Sequence, residues 1–187
     1  MVKKNASVFI SGQGTNLKNL IQRSRDNNFP INIKLIITNK KNAKGIILAK
    51  KNSIPYLVVD TELKNHENQI LKILKENKIS LICLAGYMKI ISKSFIKKFG
   101  KKIINIHPSL LPKFKGLNTF SRILKNKEKK TGCTVHYVSE KLDSGQAISQ
   151  KSFFITENDN EFTLKKRTQE LEYQAFPEAI IKIYRNY

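Results

Sequence analysis

Asn105 and His107 are the residues whose types and spacing first suggest chemistry. They lie in Ile103-Ile104-Asn105-Ile106-His107-Pro108-Ser109-Leu110-Leu111-Pro112. Pro108 ends this short apolar run, because proline has no N–H for a central sheet ladder. Residues two apart in an extended chain point to the same side, so Asn105 and His107 should project together from the carboxyl end of a strand. The residue before a proline is biased to extended geometry, which helps fix His107. An amide donor and an imidazole meeting at a strand end can hold a developing oxyanion and move protons beside it. For Asn-x-His alone, polar residues satisfying loop backbone is the better reading.

The surrounding pattern supplies elements that can position such a pair. Residues 8–10 form a short buried-strand run, followed by Ser11-Gly12-Gln13-Gly14-Thr15-Asn16-Leu17 and a helix with Leu17, Leu20 and Ile21 on one face. Strands are expected at 31–38, 54–60, 81–86, 131–138 and 147–155. Helices are expected at 41–52 and 66–77, after Gly116 with Phe120, Ile123 and Leu124 on one side, and at 162–186, bent at Pro177. Strands alternating with helices imply an α/β fold, a single doubly wound, mostly parallel sheet with helices on both faces.

A chain of 187 residues suits one domain, 1–187, with a sizeable core. No long uncharged apolar run suggests a membrane span, and the amino terminus does not read as a signal peptide. Cys83 and Cys133 sit in apolar strand-like runs, as buried free thiols of a reducing cytoplasm do. The formal charge of +21 invites a nucleic-acid partner. Its lysines are spread along the whole chain among Asn and Ile, with no basic stripe interleaved with aromatics and no reader motif. Base composition of the coding sequence accounts for this better than specific nucleic-acid binding.

Several motifs carry weaker signals. Strand, Gly-rich turn and helix start together offer backbone N–H groups and a positive helix end to an anion, with Thr15 or Asn16 able to cap the helix. The turn lacks the third glycine of the dinucleotide fingerprint. Met88 and Ile91, taken physically, read as core. Leu142-Asp143-Ser144-Gly145 reads as a turn, His136 as a structural histidine, and Gln169 and Glu172, three apart, as neighbours on one helix face. The three histidines are too scattered to suggest a metal site.

The wording around Asn105 goes further than its spacing. Asn-Ile-His-Pro-Ser-Leu-Leu-Pro resembles the signature of the folate-dependent formyltransferases, which handle the formyl group of 10-formyltetrahydrofolate. Ser-Gly-x-Gly-Thr-Asn-Leu and Ala-Gly-Tyr-Met-Lys-Ile-Ile before it and Leu-Asp-x-Gly after it stand in family order. They narrow the resemblance to the branch whose acceptor is glycinamide ribonucleotide, in purine biosynthesis. It implies Asn105, His107 and Asp143 as catalytic residues, with Asp143 facing His107 and raising its pKa. Gly14, Thr15, Asn16 and Leu17 would bind the ribonucleotide phosphate, and Gln169, Glu170, Leu171 and Glu172 other parts of that substrate. Met88, Lys89, Ile90, Ile91, Asn105, Ser139, Glu140, Lys141, Leu142 and Asp143 would hold the folate co-substrate, with no metal.

The chain departs from the family where Lys115, Asn118 and Phe120 stand in place of a common proline and two common histidines, and Lys89 in place of arginine. The loss at 118 leaves more of the proton chemistry to His107. His66 lies about where the family often has arginine, and reads as a solvated helix residue. The rival acceptors within the family are methionyl-tRNA, an amino sugar and water; a basic RNA-binding module is the rival outside it. The partners expected are small molecules, without specific nucleic acid or membrane, for a monomer or homodimer in the cytoplasm.

Overall fold

A computed structural model describes residues 2–185. In chain order its elements are β1 (Lys4–Ile10), α1 (Thr15–Ser24), β2 (Ile31–Thr38), α2 (Gly45–Lys51), β3 (Tyr56–Val58), α3 (His66–Glu76) and β4 (Leu81–Leu84). Then come α4 (Lys93–Phe99), β5 (Lys102–His107), α5 (Thr119–Lys125), β6 (Lys130–Tyr137), β7 (Ala147–Phe154) and α6 (Glu161–Tyr184). The sheet is seven-stranded, in the order β3-β2-β1-β4-β5-β6-β7. The chain divides into two compact units, Met1–Ile104 and Asn105–Tyr187.

In the first unit, β1 pairs in parallel with β2 on one side and β4 on the other, and β2 pairs in parallel with β3. The chain thus leaves β1 in one direction and returns past it to β4, the strand reversal that marks a doubly wound sheet and opens a crevice at the strands' carboxyl ends. Val8, Phe9, Ile10, Ile36, Ile37, Leu81, Ile82 and Cys83 are completely buried. That explains why these strands read as continuous apolar runs rather than as alternating ones. β1 begins earlier than expected because pairing with β2 carries it back through polar Lys4 and Asn5. β3, at the end of the sheet, is shorter than expected: its ladder with β2 covers only Tyr56–Val58.

Several helices differ from their sequence expectations, and α2 begins only at Gly45 rather than at 41. α4 was not anticipated, although its signals are present: Ser92 accepts from the Phe95 N–H as N-cap, and Gly100 closes the helix in the left-handed region. At α1 neither Thr15 nor Asn16 caps. The N-cap is Gly14 at φ 75°, without a side-chain cap bond.

In the second unit, β6 and β7 form an antiparallel pair. α6 starts with a capping box built on Asn160 and Thr163 and runs as one helix through Pro177. Pro177 is buried beside the fully buried Ala175, Phe176, Ala179 and Ile180, and this packing carries the helix across the missing N–H. The expected end at Asn186 lies outside the described residues. Ile123 and Thr119 form the buried side of α5, with Phe120 and Leu124 half-buried. Among the described residues no helix is long and apolar enough to cross a membrane.

Candidate active site

Four polar side chains of the second unit form an open ring joined by three contacts. His107, at the end of β5, places Nδ1 3.3 Å from Asp143 Oδ2. His136, on β6, places Nε2 3.6 Å from Asp143 Oδ1 and 3.3 Å from Asn105 Nδ2. Asn105 and His107 thus reach one cluster from alternate positions of β5, with Ile106 buried between them in sequence. His107, His136 and Asp143 are all buried, and Asn105 is half-buried.

Two loops complete the ring. Asp143 lies in the turn 139–145, held by Ser139 Oγ donating to the Lys141 carbonyl at 3.0 Å and Ser144 Oγ donating to the Leu142 carbonyl at 2.8 Å. Asp143 itself has φ 45°, a left-handed conformation that its short side chain tolerates. Gly145 follows because any Cβ there would stand 1.7 Å from the Tyr137 carbonyl oxygen. The second loop, 109–118, is tied to β6 by Thr134: its Oγ1 donates to the Ser109 carbonyl at 2.7 Å and accepts from the Leu111 N–H at 3.0 Å. Gly116 N–H then donates to Asp143 Oδ2 at 2.8 Å, and the Phe114 carbonyl lies 2.9 Å from His107 Nε2. Arg122 braces this turn by donating to the Lys115 carbonyl at 2.6 Å, with its guanidinium 5.6 Å from the centre of the Phe114 ring.

The ionisation of the ring follows from these contacts. Burial pushes the Asp143 carboxyl up, but the bonds from His136 and the Gly116 N–H, with the adjacent imidazoles, outweigh it and bring it down to about 2. For His107 burial is the largest influence and lowers its pKa. The Phe114 carbonyl and the Asp143 carboxylate pull it up, while His136 and Arg122 push it further down. The net direction is downward, which corrects the expectation that Asp143 would raise it. His107 therefore rests neutral near pH 7. Only the charged imidazole, with both nitrogens donating, would satisfy Asp143 and the Phe114 carbonyl together. For His136, Nδ1 lies 2.8 Å from the Tyr137 carbonyl, which can only accept, so Nδ1 carries a proton, while Nε2 faces both the Asp143 carboxylate and the Asn105 amide.

In the first unit the expected residues lie on two neighbouring loops. Gly14 caps α1 and Thr15, Asn16 and Leu17 open it; Leu17 is fully buried, which corrects the expectation that it meets a ligand, and Asn16 is buried as well. A Cβ on Gly14 would meet the Gly45 Cα at 2.9 Å. The other loop leaves β4. Met88 and Ile90 are 63% and 80% exposed, against the physical reading of Met88 as core, while Lys89 is exposed and Ile91 half-buried. Its far end is fastened by Glu67, whose carboxylate accepts from the Ser92 N–H at 2.9 Å and from the Ser92 hydroxyl.

The remaining expected residues belong to the second unit. Ser139 is half-buried and Glu140, Lys141 and Leu142 are exposed on the Asp143 turn. On α6, Gln169, Leu171 and Glu172 are half-buried and Glu170 exposed. Glu172 helps to raise the Cys133 thiol to about 12, second to burial. Sequence reasoning missed His136, Gly116 and the Phe114 carbonyl as members of the ring. For His136 a signal existed: a histidine near the end of an otherwise apolar strand. Among the described residues no three His, Cys, Asp or Glu side chains form a group that could hold a metal.

The family model described as "Formyl transferase" matches residues 4–180. The chain is 40% identical over 181 residues to phosphoribosylglycinamide formyltransferase of Haemophilus influenzae, covering 95% of this chain and 85% of that one. It is 40% identical over 182 residues to the trifunctional purine biosynthetic protein adenosine-3 of Gallus gallus, covering 95% of this chain but only 18% of the relative's length. The crystal structure of phosphoribosylglycinamide formyltransferase from Anaplasma phagocytophilum superposes with a TM-score of 0.92 at 35% identity, covering 99% of this chain and 89% of that one. With the family model running through both units and that structure sharing nearly the whole fold, the chain belongs to the formyl transferase family.

Proposed function

We propose that the protein transfers the formyl group of 10-formyltetrahydrofolate to the amine of 5'-phosphoribosylglycinamide, a step of purine biosynthesis. The observation that carries the reading is the open ring of contacts running from Asn105 through His136 and Asp143 to His107. Residues 1–187 act in it as one formyltransferase domain, a reading supported by a single family model extending over 4–180.

The amine attacks the formyl carbon, its electron pair forming the new C–N bond while the carbonyl oxygen takes up negative charge. Asn105, held beside His136 Nε2, directs an amide N–H to that oxyanion. His107 rests neutral and so can accept a proton from the attacking amine. Nε2 does this in exchange for its contact with the Phe114 carbonyl. The imidazolium so formed is stabilised by Asp143, which stays ionised with a pKa of about 2. His107 returns the proton to N10 as the C–N10 bond breaks, giving the N-formyl product and tetrahydrofolate.

Gly14, Thr15 and Asn16 bind the phosphate, and Gln169 to Glu172 the glycinamide ribonucleotide's other polar groups. The folate lies along Met88, Lys89, Ile90 and Ile91 and the turn from Ser139 to Asp143. Exposed apolar side chains on a backbone pinned by Ser11 and Glu67 suit a flat ligand. The chemistry asks nothing of a metal. A cytoplasmic monomer or homodimer fits the free thiols of Cys83 and Cys133. Formyl transfer from 10-formyltetrahydrofolate is assayed with glycinamide ribonucleotide, methionyl-tRNA and water as acceptors. Product with the ribonucleotide is expected; product with methionyl-tRNA alone would replace the acceptor, and no product with any would overturn the reading.

A further inference from the structure

Ser11 joins the carboxyl ends of three strands. Its N–H donates to the Gly86 carbonyl at 3.0 Å, where the chain has just left β4. Its hydroxyl accepts from the Met88 N–H at 2.7 Å and donates to Asn39 Oδ1 at 2.5 Å, just past the end of β2. A hydroxyl has one proton, so donation to Asn39 fixes the rotor and turns a lone pair toward Met88. Asn39 sits inside a turn in which the Lys40 N–H donates to Thr38 Oγ1 at 3.2 Å. Ser11 also opens the turn containing Gly14, at the strand reversal between β1 and β4.

We infer that Ser11 is a positioning residue that couples two ligands, a phosphorylated amine on the 12–16 turn and a folate on the 88–91 segment. The inference rests on the functional reading above. A ligand on the 12–16 turn fixes the backbone that carries Ser11. That in turn fixes the Met88 N–H and the segment bearing the exposed Met88 and Ile90. The second ligand then meets a segment already ordered and binds more tightly, and linkage requires the effect to be reciprocal. The far end of the segment is held independently by Glu67 on Ser92, so Ser11 controls only the near end.

The test measures tetrahydrofolate affinity calorimetrically with and without saturating glycinamide ribonucleotide; tetrahydrofolate carries no formyl group, so no turnover intrudes. In the unaltered protein the ribonucleotide should tighten tetrahydrofolate binding on the order of tenfold. Ser11→Ala should bring that ratio within about twofold of unity, Ser11→Thr should restore it, and Asn39→Ala, which leaves the hydroxyl but frees its proton, should give an intermediate ratio. Hydrogen exchange at the Met88 amide should slow on adding the ribonucleotide in the unaltered protein and not in Ser11→Ala. Loss of both affinities with an unchanged ratio would mark Ser11 as merely structural and overturn the coupling. So would an unaltered protein that binds both ligands without mutual effect. Failure to bind either ligand, with no formyl transfer, would instead remove the functional reading and the coupling with it.

Discussion

In the function proposed above, the first unit meets its ligands with backbone groups and the second with side chains. At Gly14 the chain bends through a left-handed residue into α1, and that N-cap makes no side-chain cap bond. Met88 and Ile90 flank a segment whose main chain is pinned by Ser11 and Glu67. The ring in the second unit is built from an amide, two imidazoles and a carboxylate, all with partners. Backbone sites suit ground-state binding, because their geometry is the same before and during reaction. A ring whose acceptors are fully satisfied only by a charged His107 favours a state in which charge has moved.

Substitutions should therefore fail differently in the two regions. The largest effect belongs to His107→Asn, which should lower kcat roughly 10²–10⁴-fold while leaving KM for the ribonucleotide nearly unchanged. Asp143→Asn should act in the same direction, since an amide cannot offset the imidazolium. Steady-state kinetics on folded protein check both; near-normal kcat in either would break the comparison.

Gly14→Val should show the opposite pattern. Its Cβ would meet the Gly45 Cα at 2.9 Å at a residue of φ +75°, so the turn must shift. KM for the ribonucleotide should rise about tenfold or more, the equivalent of about 1.4 kcal/mol, with a smaller change for the folate. Equal changes for both substrates would mean that the turn serves no particular ligand.

His136→Gln sharpens the comparison within the ring itself. His136 touches both Asn105 and Asp143, so its loss should misplace the amide and weaken the carboxylate's hold on its charge. A fall in kcat of about ten- to a hundredfold is expected, less than for His107, because the proton carrier remains.

The same division decided what could be read from the sequence. Gly12-Gln13-Gly14 between a strand and a helix announces a backbone site locally, and β2 and α3 were placed within a residue by their apolar pattern. Asn105 and His107 could be paired because both stand on one strand. His136 could not join them, since nothing in a linear pattern tells which strand lies beside β5; the sheet order does. Asp143 came only with the family wording. The direction of the His107 pKa was misread for a related reason: Asp143 is visible in sequence, but burial, which outweighs it, is a property of packing. α4 escaped because Lys93–Phe99 is too short for a periodic signal.

Arg122 provides the smallest effect and a test of that reversed direction. The groups bearing on His107 are Asp143 and the Phe114 carbonyl, which pull its pKa up, and His136 and Arg122, which push it down. Arg122 is exposed, so its charge is screened and its removal should change kcat at neutral pH by less than about twofold. The acid limb of the kcat profile is more sensitive. His107 must be neutral to take the proton, so activity falls as pH drops through its pKa in the complex. Because burial lowers that pKa, the limb should lie below the ordinary imidazole range in the unaltered protein. Arg122→Gln removes a downward influence, so the limb should move to higher pH, with the alkaline side unchanged. Were the limb to stay in place, the brace on the Phe114 turn would be Arg122's only role; a move to lower pH would mean that the turn, once released, no longer brings its carbonyl to Nε2.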